Sequence, residues 1–293
     1  MRFDKNKFEY AIFNFFVRIV NKSGYKKIRY YAKVLAFIFY HILRIRRAVV
    51  IKNLKTAFPY FDKKKLKQIA YNNYFNIAFT FLESMLIPKI NKKELNSRVN
   101  LINKELLLEA NKNGKGVFLL TAHFGNWEIG AVSVGAQLGL PINVLVKPQR
   151  NKFVSDWMDN MRSTFGNKVI ALGTNVREIY KAILDKGIVG VVGDQRGPRE
   201  NGVRVNLFGQ STSTYPGTAA IALKLKANLI TAIIYRKPDY KYDCVFEEID
   251  LPKDFTDISE AIKEINQKYM DILEKYVTLY PDQWFWMHNI WKY

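Results

Sequence analysis

Few side chains in this sequence can move a proton near neutral pH. Among 293 residues there are three histidines, His41, His123 and His288, and one cysteine, Cys244. His123 stands in TAHFGNWE, directly after the apolar run Val117-Phe118-Leu119-Leu120, and Glu128 follows five positions later. Such a run, preceded by Gly114 and Gly116, reads as a short buried strand. The carboxyl end of a strand is where α/β sheets hold their ligands. Five positions on a regular helix lie roughly 140° apart, so His123 and Glu128 cannot share one helical face. If they cooperate, His123 sits in the turn and Glu128 in the first helical turns. That arrangement suits a histidine base whose tautomer is fixed by a carboxylate, which also stabilises the imidazolium formed when a hydroxyl loses its proton. The competing reading is a histidine that only caps a helix.

A second group is Gly193-Asp194-Gln195-Arg196-Gly197-Pro198, after the apolar run Ile188–Val192. Polar residues from two strand ends can converge on one pocket. Equally, this is an ordinary turn in which Asp194 bonds its own backbone. A third is the loop Phe208-Gly209-Gln210 to Thr214, with Pro216-Gly217 opening a helix. Amides at that helix start could hold an anion, or the proline could be there for the turn alone. Ser211 and Ser213 have no G-x-S-x-G elbow around them. Cys244 lies in an alternating strand pattern and reads as a packed apolar residue. One cysteine excludes an internal disulfide and a cysteine-built metal site. Dinucleotide, Walker and H-E-x-x-H patterns are absent, so neither a cofactor nor a metal is expected. His41 lies on an apolar helix. His288 sits in PDQWFWMHNIWK, where Trp284, Trp286 and Trp291 point to core packing or an interfacial anchor.

The elements that must carry these residues alternate. Strands are expected at Val117–Leu120, Ile142–Val146, Ile188–Val192 and Ile230–Tyr235, with Asp243–Ile249 at an edge. Helices are expected at about 125–138, 152–165, 174–186, 214–227 and 259–280. Alternation of this kind implies an α/β sheet with crossover connections. Residues 1–110 read as helical, with apolar positions such as Leu66, Ile69, Ala70, Tyr74, Ile77 and Phe81 recurring at three and four. The expected organisation is a basic helical region, 1–110, and an α/β core, 111–293, forming one compact unit.

Hydrophobic residues make up 48% of the chain, which excludes disorder as its main description. The net charge of +20 is uneven: residues 1–93 hold 21 Lys/Arg against 4 Asp/Glu, and the remaining 200 hold 25 against 22. A surface so positive attracts anionic lipid, nucleic acid or an acidic protein. Two apolar blocks accompany the charge, Phe8 to Val20 and Val34 to Leu43, the second flanked by Lys26, Lys27, Arg29, Lys33, Arg44, Arg46 and Arg47. A spanning helix needs about 20 apolar residues, more than the second block offers. These blocks read as interfacial helices, with bases at the headgroups and aromatics beneath. The alternative is buried helices with a solvated basic rim. No small-residue cleavage site follows them, so a cleaved signal peptide is not expected.

Five stretches, in order, resemble the lipid A biosynthesis acyltransferase family, the late lauroyl/myristoyl transferases. RRAVVIKNLKTAFP (46–59) is similar to its basic N-terminal signature, and HFGNWE (123–128) to its H-x4-D/E motif. Val146-Lys147-Pro148 stands where the family usually reads Tyr-Arg-Pro. GDQRGPRENGVRVNLFGQSTST (193–214) resembles the block after the third strand, and PDQWFWMHNIWK (281–292) the C-terminal signature. The resemblance spans roughly residues 30–292.

It implies a glycerolipid acyltransferase-like fold, a mixed sheet flanked by helices, and acyl transfer with no covalent enzyme intermediate. By resemblance His123 deprotonates an acceptor hydroxyl and Glu128 orients His123. Asp194 and Arg162 support the site, Asn126 and Trp127 shape the pocket, and Lys147, Arg150, Gln195 and Arg196 meet substrate. Lys147 keeps the charge of the usual Arg but loses its bidentate fork. The implied donor is an acyl-carrier-protein thioester. The implied acceptor is an anionic glycolipid, a lipid A precursor, reached from the cytoplasmic face of the inner membrane by a peripheral or monotopic protein. A phosphorylated acceptor and an acidic carrier both suit the basic first third, and 20 Phe with 17 Tyr can line a groove for a fatty chain. The thioester oxyanion needs donors, for which amides near Gly125 or a basic side chain are candidates. Other readings are the same chemistry on another glycolipid or lysolipid, and a hydrolase using water on the same histidine. A nucleic-acid binder would need aromatic platforms in a basic groove, and nucleic acid is not an expected partner.

Overall fold

The structure, a computed structural model, describes residues 4–173 and 176–292. It opens with a helical layer. Helix α1 (Lys5–Phe37) is capped by the Asp4 carboxylate, which accepts from the amides of Asn6 and Lys7. It bends at Gly24, whose φ of 66° and ψ of 178° are not helical. A π-helical turn, Ile38–Ile42, leads to α2 (Arg47–Ala57) and α3 (Lys63–Ser84), and after a short 3-10 turn to α4 (Lys92–Arg98). Asp62 and Asn91 cap α3 and α4 through their side-chain oxygens. Val20, Ile28 and Ala32 of α1 pack on Ala78, Phe79 and Leu82 of α3.

Strands then alternate with helices. In chain order they are β1 (Val99–Ile102), α5 (Lys104–Lys112), β2 (Val117–Thr121), α6 (Trp127–Leu138), β3 (Ile142–Val146), α7 (Lys152–Arg162) and β4 (Lys168–Ala171). There follow α8 (Val176–Leu184), β5 (Ile188–Val192), a hairpin of β6 (Val203–Leu207) and β7 (Gln210–Thr214), α9 (Gly217–Leu225), β8 (Asn228–Arg236), β9 (Tyr242–Glu248) and α10 (Ile258–Leu279). Seven strands form one sheet in the order β1-β9-β8-β2-β5-β3-β4. Every neighbouring pair is parallel except β8 with β9. The fold is therefore α/β with a mainly parallel mixed sheet between helical layers, as the alternation implied.

Strand β2 is central and covered on both faces, which explains its unbroken apolar run. Val117 and Leu119 face α6 together with Ile188, Ile230, Ala232 and Ile234. Phe118 and Leu120 face the opposite layer, where Val189, Leu229, Leu273 and Val277 meet Trp284 and Trp286. The segment 243–249 is not an edge strand. Its strand, β9, lies between β8 and β1. β1 falls inside the stretch read as helical, because four residues carry almost no periodicity and become a strand only by pairing, Leu101 opposite Cys244. Phe208 and Gly209, read as loop, are the two-residue turn of the β6–β7 hairpin, with φ of 52° and 68°, the positive values that a type I′ turn requires.

The helical layer is bonded to the chain's end. Asn53 of α2 donates to the carbonyls of Trp286 and His288, and Asn73 of α3 to those of Asp282 and Trp284. Among the described residues no helix is long and apolar enough to cross a membrane.

Candidate active site

A cavity of about 500 Å³ opens at the carboxyl ends of β2, β3 and β5, between the sheet and α6. Its mouth is polar, with His123, Glu128, Lys147, Arg150, Arg162 and Gln195. Its depth is apolar, lined by Leu119, Val144 and Ile234 of the sheet and by Gly130, Ala131 and Val134 of α6. Ala131 and Ala232 put only methyl groups on the two walls, while Gly130 and Gly190 let neighbours pack closely, since a Cβ there would lie 3.2 Å from Ile234 and 2.9 Å from Ile142.

His123 lies in the turn between β2 and α6. Its ring Nδ1 is 2.7 Å from Oδ1 of Asp194, and its own backbone N–H donates to Asp194 Oδ2 at 2.9 Å. The indole Nε1–H of Trp284 donates to the same Oδ2 at 2.7 Å. Asp194 is buried, so its carboxylate is a charge held by three directed donors. Burial by itself would push the Asp194 carboxyl up. The His123 cation and the bonds from His123 and Trp284 outweigh that, and Asp194 lies below the usual carboxylate range. Burial likewise opposes charge on His123, but the Asp194 carboxylate and its hydrogen bond prevail and raise the ring above the ordinary histidine value. With Nδ1–H committed to Asp194, the neutral ring carries its lone pair on Nε2. Trp127 meets the ring edge-on with centroids 5.0 Å apart, and Phe285 lies at 5.9 Å.

Glu128 does not hold His123, contrary to what the resemblance implied. Its carboxylate receives a bidentate pair from Arg162, Nε to Oε2 at 2.9 Å and Nη2 to Oε1 at 2.6 Å. Arg162 also reaches Asp159 at 3.3 Å. Burial weakens the Arg162 cation, yet Glu128 and Asp159 more than compensate and raise its pKa. Glu128 still acts on His123 through space, favouring the charged ring. Its place one residue into α6 aims it at α7, and the ring is taken by the neighbouring strand end instead.

Asn126, expected to support the site, is fully buried and does not line the cavity. Its Oδ1 caps α6 by accepting from the Ile129 amide, and its Nδ2 donates to Glu83 Oε2 at 2.7 Å. Lys147, Arg150 and Gln195 line the mouth. Arg196 does not line it. Its backbone N–H donates to His288 Nε2 at 3.0 Å and its guanidinium to the Asn289 carbonyl at 2.6 Å, tying this loop to the C-terminal segment. The Gly125 amide, considered for the oxyanion, is engaged by the Gln283 carbonyl at 3.0 Å. Among the described residues no group of acidic, histidine and cysteine side chains could hold a metal.

Sequence reasoning missed Trp284 as a partner of Asp194. It lies 90 residues away, and no spacing signal joins them. The aromatic density of residues 281–292 and their resemblance to the family's C-terminal signature marked the segment, and neither names Asp194 as its partner.

Residues 5–293 match the bacterial lipid A biosynthesis acyltransferase family. The chain is 22% identical to a lipid A biosynthesis palmitoleoyltransferase of Escherichia coli K12 over 251 residues, 85% of this chain and 80% of that protein. It is 26% identical to a lipid A biosynthesis acyltransferase of Haemophilus influenzae over 84% of this chain and 76% of that one. It is also 22% identical to a phosphatidylinositol mannoside acyltransferase of Mycolicibacterium smegmatis over 71% of this chain and 67% of that one. With the match running from the first helix to the last residue, this chain belongs to the bacterial lipid A biosynthesis acyltransferases and is an acyltransferase.

Proposed function

We propose that this acyltransferase moves a fatty acyl group from an acyl-carrier-protein thioester to a hydroxyl of a lipid A precursor, with His123 as general base and Asp194 as the group that orients it. The observation that carries this reading is the Nδ1 to Oδ1 contact of 2.7 Å at the mouth of an apolar cavity. His123 Nε2 takes the proton of the acceptor hydroxyl as its oxygen attacks the thioester carbonyl. The tetrahedral intermediate collapses, the C–S bond breaks, and the imidazolium returns its proton to the departing thiolate. Asp194 stabilises the imidazolium between these steps. Glu128 holds Arg162 at the mouth, and the guanidinium supplies positive charge where the thioester oxygen becomes negative. The acyl chain occupies the apolar depth between α6 and the sheet, and Lys147 and Arg150 meet the anionic groups of the substrates.

Membrane association belongs to the same reading. Ile12, Phe15, Phe16, Tyr30, Val34 and Phe37 of α1 are exposed, as are Ile42 and Leu43 beyond it. Apolar side chains beside the basic residues of this layer suit an interfacial seat on the cytoplasmic face of the inner membrane. A second acceptor class is supported by the similarity to the mycobacterial phosphatidylinositol mannoside acyltransferase, namely another anionic glycolipid.

Purified protein incubated with acyl-carrier-protein thioesters and each lipid acceptor, read by mass, tests the proposal. Transfer to a lipid A precursor that disappears in a folded His123→Ala variant supports it. Full transfer by that variant, or no transfer from any acyl-carrier-protein thioester, overturns it.

A further inference from the structure

Glu83 is the most deeply buried acid outside the cavity, with none of its surface exposed. It sits near the end of α3, in the helical layer, and reaches no solvent. Its Oε2 accepts from Asn126 Nδ2 at 2.7 Å and from the hydroxyl of Tyr242, which is also buried. Its Oε1 has no hydrogen-bond partner among the described residues. Burial raises its pKa, opposed by the bonds from Tyr242 and Asn126 and by Arg236 and Arg98. An acid in such a place costs stability unless a specific geometry needs it. A pair of apolar residues would fill the same volume more cheaply.

The bond partners show where that geometry is spent. Asn126 is the cap of α6, and its other amide atom holds the Ile129 amide. One turn before Glu83 on the same face of α3, Thr80 Oγ1 donates to the carbonyl of Gly125 at 2.7 Å, also buried. α3 thus grips two consecutive residues, Gly125 and Asn126, in the turn between His123 and Glu128. Gly125 has φ of 57°, and a Cβ there would lie 2.3 Å from the Ile234 carbonyl oxygen. The turn is pressed against β8 and cannot relax on that side. Asp194 holds the backbone N–H and ring of His123, and the C-terminal segment adds two further bonds, the Gly125 amide to the Gln283 carbonyl and the Phe285 amide to the His123 carbonyl at 2.9 Å.

We infer that Glu83 and Thr80 are positioning residues for the reaction, setting the turn that carries His123 and Glu128, so that the helical layer completes the active site. This rests on the reading of His123 as the base. Glu83 aligns the Asn126 amide, Asn126 fixes the start of α6, and Thr80 fixes the Gly125 peptide. A shift of a fraction of an ångström here moves the imidazole relative to the acyl carbonyl without closing the cavity.

The test is steady-state kinetics on the full chain with the acyl-carrier-protein thioester and lipid acceptor that wild type uses. Glu83→Leu and Thr80→Val remove the two grips. Glu83→Gln and Thr80→Ser keep an acceptor and a donor in place. Expected is a fall in kcat of about 10- to 100-fold for Glu83→Leu and Thr80→Val, with KM for both substrates within about twofold of wild type. Melting temperatures should stay above the assay temperature, and the conservative variants should keep most of kcat. If Glu83→Leu does not fold, Thr80→Val and Thr80→Ser decide. Folded Glu83→Leu or Thr80→Val protein with wild-type kcat, or a loss that appears only as KM, overturns the inference. Parallel assay of His123→Ala separates the two readings: if that variant is also fully active, the base assignment fails rather than the positioning role.

Discussion

His123 and Asp194 each stand two residues beyond a pair of facing residues, Thr121 of β2 and Val192 of β5, in adjacent parallel strands. The Gly193 amide donates to the Thr121 carbonyl at 3.0 Å and continues the ladder into the loops. Parallel register thus brings the imidazole and the carboxylate together, and Trp284 closes the other side of the carboxylate. An acid 71 residues away in sequence contacts the ring that the acid five positions away was expected to hold.

Asp194→Asn should therefore be the most damaging conservative change at the site. The amide can present N–H to Nδ1 and stabilise the wrong tautomer, and it carries no charge for the imidazolium. A loss in kcat of about 10³- to 10⁴-fold is expected, with the fold intact by circular dichroism. The pH profile gives a second check. A base must be unprotonated to act, and Asp194 raises His123 above the ordinary histidine value. Activity should fall as pH drops through that raised value. In Asp194→Asn the residual activity should show its acid limb at lower pH.

The Glu128–Arg162 pair should be worth more intact than either partner alone. Both side chains are nearly buried, 9% and 11% exposed. Arg162→Ala leaves the buried Glu128 charge unpaired and should cost about 3 kcal/mol of unfolding free energy by urea titration, and Glu128→Ala should cost less, because Arg162 keeps Asp159 at 3.3 Å. Arg162→Met with Glu128→Leu should recover most of that stability and none of the activity. Recovery of both would remove the pair from the chemistry.

The cavity depth should set which acyl chains are used. Ala131→Leu adds bulk on the α6 wall. Competition between a long and a short acyl-carrier-protein thioester should shift toward the shorter by about 10-fold or more in kcat/KM. An unchanged ratio would show that the chain lies elsewhere.

Phe15 and Phe16, 60% and 51% exposed on α1, should contribute to lipid binding. Phe15→Ser with Phe16→Ser removes about 1.5–3 kcal/mol of apolar burial per residue at most. Sedimentation with anionic vesicles should show at least a 10-fold weaker partition, while activity on detergent-dispersed acceptor stays near wild type. Equal vesicle binding would move the interfacial surface away from this helix.

The local features of the site were legible because they are local. Strands β2, β3, β5 and β8 are apolar runs, and the histidine after one of them and the acid after another were visible as chemistry at strand ends. The concentration of basic charge and aromatics in the first third was legible too, since it needs only counting. What the sequence could not assign was the partner of the imidazole. The resemblance implied Glu128, but α6 begins at Trp127 and delivers that carboxylate to Arg162 on α7. Which acid met the ring depended on which strand lay beside β2, and strand order is a long-range property with no local signature. The same holds for β1, too short to show a period, for Trp284 at the end of the chain, and for Glu83 and Thr80 in a helix read only as amphipathic. Local sequence determined what each segment could be, and burial against distant segments decided which polar atoms met, because a buried polar group takes the partner that packing brings to it.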